Sequence, residues 1–70
     1  MQINESLAKK LSLKALEMAG GRSSEIERYC WMVVHEHCHG VMPFEYDVKD
    51  VDEALYLSVL EWAKWRIKST

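Results

Sequence analysis

Proline occurs once, phenylalanine once, cysteine twice and glycine three times in these 70 residues. So little proline and glycine excludes collagen-like and linker sequence, and it confines chain breaks to Gly20-Gly21 and to Gly40 through Pro43. No apolar run approaches the roughly 18 residues of a membrane span. Met1 to Asn4 leads into a charged amphipathic segment rather than the apolar core of a signal peptide. The expectation is a cytoplasmic protein with no membrane partner. Neither sign of charge dominates: nine Lys and Arg against eleven Asp and Glu give a formal net charge of −2, so the totals exert no strong pull toward nucleic acid or anionic lipid. There is no Gly-rich phosphate loop, nucleophile elbow or paired-carboxylate arrangement, and the chain reads as a non-enzyme without a cofactor. Cys30 and Cys38 lie eight positions apart in one expected helix, about 12 Å at the helical rise and too far for a disulfide, so both thiols are expected reduced.

What is present is a folding composition, 49% hydrophobic and 29% charged. Seventy residues make one domain, residues 1–70, and one this short buries only roughly 60% of its unfolded surface. Periodicity predicts an all-α, three-helix domain with helices at about 4–19, 24–39 and 50–68. The first has Asn4 as N-cap, a stripe of Ile3, Leu7, Leu11, Ala15 and Met18, and a glycine stop. The second starts at a capping box of Ser24 and Glu27 and carries Ile26, Tyr29, Cys30, Val33, Val34 and Cys38 inward. The third starts at a capping box of Asp50 and Glu53 and ends in Lys64, Arg66 and Lys68, which suit the helix dipole. Between the second and third, Phe44 to Val48 alternates apolar and polar and reads as an ordered loop with aromatic plugs.

Apolar residues of the third helix spread around well over half its wheel, including Val51, Leu55, Tyr56, Val59, Leu60, Trp62 and Ile67. A helix apolar on that much of its circumference wants neighbours on more than one side. Two companion helices cover one broad face, so the surplus is expected to meet another chain. The expected state is a homodimer, intertwined or side by side, with Leu55 and Trp62 central to the dimer contact. Leu13, Leu16, Tyr56, Leu60 and Trp65 are the candidates for binding a further, unidentified protein.

Two short patterns point to other chemistry. His35, Glu36, His37, Cys38 and His39 contain H-E-x-x-H, which on a helix puts His35 and His39 on one face. This resembles the zincin motif, in which two imidazoles bind zinc and the intervening Glu polarises the bound water. The resemblance implies zinc ligation by His35 and His39 with Glu36 as base, and a structural zinc site would use His35, Cys38 and His39. Glu45, Asp47 and Glu53 are third ligands by type only. Without metal, His35 and His39 are expected to be solvated near Arg28 and Met32, with His37 inside the apolar stripe.

The second pattern is Gly20, Gly21, Arg22, Ser23, Ser24, Glu25 and Ile26, flanked by helices. Over residues 4–37 it resembles ribbon-helix-helix repressors and antitoxins, whose turn before the second helix anchors a DNA phosphate. The resemblance implies DNA as partner and Arg22, Ser23 and Ser24 as phosphate anchors. Only Met1, Gln2 and Ile3 precede the first helix, too few for the base-reading strand of that family. Charge follows weakly: residues 1–28 carry five basic and four acidic groups, residues 29–70 four and seven. The leading expectation is a small regulatory module that binds protein, in size similar to regulators of phages and mobile elements.

Overall fold

Two glycines with left-handed backbone end the first helix. Gly20 (φ 64°) donates its N–H to the Glu17 carbonyl and Gly21 (φ 76°) to the Leu16 carbonyl, both at 3.2 Å. These are the paired bonds of a Schellman stop, which needs a residue that tolerates positive φ directly after the helix. The computed structural model describes residues 5–43 and 51–69. In chain order it has α1 (Glu5–Ala19), a 3₁₀ turn (Ser23–Glu25), α2 (Ile26–His39) and α3 (Glu53–Ser69). Among the described residues the domain is all-α, with three helices as expected. Asn4, Ile3, the Phe44 to Val48 alternation, Glu45, Asp47 and Asp50 lie outside the described residues.

Helix boundaries differ from the expected ones for local reasons. The second helix opens through the 3₁₀ turn, and no side-chain cap bond forms there, so Ser24 and Glu27 do not make the predicted box. At α3 the cap is Asp52: its Oδ1 accepts the Leu55 N–H at 3.2 Å and its carbonyl accepts the Tyr56 N–H at 2.9 Å. The cap thus falls two residues later than the expected Asp50, and the orphan donor it satisfies is the Leu55 N–H.

All three helices pack on one another around a single core. The face that α1 gives to it is made of small residues, Ala8, Ser12, Ala15 and Ala19, together with Leu11. Leu7 and Met18, expected in the apolar stripe, are only partly buried and pack against the core from outside it. Small side chains spaced three and four apart let neighbouring helices approach closely, and α2 and α3 fill the space with Cys30, Val33, Val34, Val59 and Ala63, all fully buried. Ser12 is buried with them and stays satisfied by donating its hydroxyl to the Lys9 carbonyl at 2.6 Å. The Cα extents of 31 × 28 × 15 Å describe a thin body, so much of every helix still faces outward.

Because the Ala15 site has no exposed surface and no spare volume is expected beside it, Ala15→Leu should cost roughly 1–3 kcal/mol of stability by overpacking. Ala54→Leu, at an exposed position of α3, should change stability by less than about 0.5 kcal/mol. Urea unfolding followed by circular dichroism distinguishes the two.

Candidate functional site

An open groove of about 670 Å³ lies between the start of α1 and the second half of α3. Glu5 and Lys9 form one wall, and Ser58, Glu61, Trp62, Trp65 and Arg66 form the other. Spacing explains the second wall: Ser58, Trp62 and Trp65 succeed one another at four and three residues, so they share a flank beside the buried row of Leu55, Val59 and Ala63. Trp62 is packed against the core, whereas Trp65 is 57% exposed. Their rings meet edge to face at 5.9 Å, a favourable aromatic geometry. Lys9 Nζ stands 5.1 Å from the centroid of the Trp62 ring, within cation–π reach. Arg66 contributes a buried Nε with no hydrogen-bond partner among the described residues.

The residues assigned from sequence to protein contacts divide in two. Trp65 and Leu13 are exposed, and Leu13 follows Lys9 by one turn, so it prolongs the groove flank of α1. Leu16 and Tyr56 are partly buried against the core. Leu55 and Leu60, however, are only 7% and 8% exposed and lie within the core of the single chain. A wheel shows how far apolar residues spread but not that three mutually packed helices can cover so wide an arc, and this leaves Leu55 and Leu60 almost no surface for a partner. Sequence reasoning missed Leu57 and Val41, both exposed, and the charged groove residues Glu5, Lys9, Glu61 and Arg66. Only the pairing of α1 with α3 brings those charges together.

Two of the α2 histidines, His35 and His37, are placed opposite to expectation, whereas His39 is exposed as expected. His35 is buried, and its Nδ1 lies 3.0 Å from the Val41 carbonyl, to which it donates as the Nδ1–H tautomer. His37 and Cys38 are exposed, since the last turn of α2 runs past the core. Gly40, at φ 78°, caps the helix by donating to the Glu36 carbonyl and turns the chain so that Val41 comes back over His35. Residue spacing carries no record of such a reversal. The His35 ring lies between Trp31, at 5.6 Å, and His39, at 4.5 Å between centroids. Glu36, the base of the zincin reading, pairs with Lys14 of α1. Among the described residues no three His, Cys, Asp or Glu side chains form a metal-binding group. The structure therefore joins His35 to His39 but does not join Cys38 to them.

In the turn after α1, Arg22 donates from Nε to the Ala19 carbonyl at 2.9 Å and from its backbone N–H to the same carbonyl at 3.2 Å. It thereby closes the C-terminus of α1, while Ser23 and Ser24 are exposed. Of the two free cysteines, Cys38 is exposed and Cys30 fully buried. Burial pushes the Cys30 thiol up from 9.0 to about 12, with Lys64 pulling it down and Glu27 pushing it further up.

A family model described as a domain of unknown function, DUF8662, matches residues 6–67, and the chain belongs to that family. The match takes in all of α2 and nearly all of α1 and α3. No curated protein and no solved structure matches the chain.

Two consequences of the Cys30 environment are measurable. At pH 8 a thiol reagent should label Cys38 in the folded protein and reach Cys30 only on unfolding. The folded thiol keeps its proton up to about pH 12 while the unfolded one loses it near 9.0, so stability should fall as pH rises through that interval. The Cys30 contribution to the slope is at most about 1.4 kcal/mol per pH unit, and the slope should be shallower by that amount in Cys30→Ala in parallel urea titrations.

Proposed function

We propose that this chain is a non-enzymatic interaction module that works by binding protein, and that its working surface is the groove between α1 and α3. The observation that carries this reading is Trp65, more than half exposed beside Trp62 in a groove ringed by charges of both signs. Tryptophan and arginine are enriched at the centres of protein interfaces, and a large aromatic ring left in water gains free energy when a partner covers it. Leu13, one turn beyond Lys9, extends the apolar area along α1.

The first partner of this surface is a second copy of the chain. A two-fold interface must be complementary to itself. Charge supports this reading, since the groove carries both signs, Glu5 and Glu61 with Lys9 and Arg66, and a copy turned about a two-fold axis can set acids against bases in both directions. Trp62 lines the groove from the core side, so it supports the dimer contact by holding Trp65 in place rather than by lying at its centre.

Sedimentation equilibrium across micromolar concentrations should show a reversible dimer. Trp65→Ala should weaken association by about tenfold or more while helicity persists, because an exposed ring contributes to a partner and not to the core. Trp62→Ala should also lower stability, by up to about 3 kcal/mol, since part of its ring packs on the core. A folded monomer at all concentrations, equally for wild type and Trp65→Ala, would remove the second copy as partner.

A further inference from the structure

We propose that His35 and His39 form a two-imidazole site for a divalent transition-metal ion of the nickel, copper or zinc class, independent of the groove. Residues four apart on a helix stack one above the other, and the structure brings these two rings to 4.5 Å between centroids with planes tilted by 40°. The second observation is the hydrogen bond behind the first ring. His35 Nδ1 is held by the Val41 carbonyl at 3.0 Å, which fixes the tautomer and leaves Nε2 as the ring's lone-pair nitrogen. A backbone carbonyl behind one ring nitrogen is the usual support of a metal-bound histidine, because it sets the ring's orientation and raises the basicity of the other nitrogen. Here the support depends on Gly40, whose left-handed backbone returns Val41 to α2.

The donor set selects the class of ion. Two neutral imidazoles suit nickel, copper and zinc, whereas magnesium and calcium require oxygen ligands. Glu36 points to Lys14 and Cys38 makes no group of three with the histidines, so the remaining coordination positions fall to water or to small ligands. A site with two protein ligands is a loading site of modest affinity, unlike the closed four-ligand sites that hold a fold together. Each imidazole has two nitrogens, so His39 can keep a protein contact through one and offer the other to the ion.

The test uses the tag-free full chain, stripped with chelator, and nickel chloride alone, read by titration calorimetry and by thermal unfolding. The expected result is saturable uptake with a rise in Tm, since an ion bound only by the folded chain stabilises it. His39→Ala, at an exposed position, should weaken uptake by about tenfold or more with helicity unchanged, while His37→Ala and Cys38→Ser should alter it by less than about twofold. No saturable uptake up to about 1 mM nickel overturns the proposal, as does uptake unchanged in His39→Ala. Loss of uptake in Cys38→Ser or His37→Ala overturns it equally, because the ligands would then be different ones.

Discussion

The fold depends on how closely α1 lets its neighbours approach. Ala8, Ser12, Ala15 and Ala19 present almost no side-chain bulk, and both other helices pack on α1. A chain of this length has a total stability of only about 5–15 kcal/mol at best, so it gains little from any one large residue and much from dense packing along a whole face. The small face also decides where the large residues go. Trp31, Trp62 and Trp65 find no room along α1's centre, and they sit at the margins of the core, buried, half-buried and exposed in turn. The groove is thus a by-product of close packing: a helix that gives its inner face to alanines leaves its neighbour's tryptophans at the edge.

Chain reversal has a similar double role. Gly20 and Gly21 stop α1 within two residues, and Arg22 seals the freed Ala19 carbonyl, which leaves Ser23 and Ser24 at the surface. Gly40 stops α2 and brings Val41 over His35. In both turns a residue that looks functional in sequence also satisfies a backbone or ring group. For Arg22 the bond to Ala19 occupies Nε and holds the guanidinium at the end of α1, with the Nη donors left for other contacts. For His35 the bond likewise occupies one nitrogen only, the one a metal does not need.

Much of this architecture was legible from residue order. Helical periodicity with glycine stops gave three helices, and the ends at Ala19 and His39 coincide with the expected ones. The starts were less legible: caps depend on which of several neighbouring carboxylates or hydroxyls reaches a free N–H, and Asp52 does so at α3. Burial was legible where one face carries all the apolar residues, as for Ile26, Cys30, Val33 and Val34, and illegible at His37 and Cys38, where α2 outruns its neighbours. Trp65 stood out as exposed because it falls beside the core row of α3. The charges around it did not, since Glu5 and Glu61 are 56 residues apart in the chain and meet only across the α1 and α3 contact.

The two candidate surfaces are separated by α1 itself. Lys9 and Lys14 are five residues apart, about 140° around the helix, so the flank that faces Trp62 is nearly opposite the flank that pairs with Glu36. A partner seated in the groove therefore approaches from one side of α1, and the last turn of α2, with its histidines, lies toward the other. Because α1 packs as one rigid row of small residues, neither surface can move far without disturbing the other's support. That row runs the length of α1, from Ala8 beside the Lys9 that meets Trp62 to Ala15 and Ala19 beyond the Lys14 that pairs with Glu36, so one line of close packing supports both flanks.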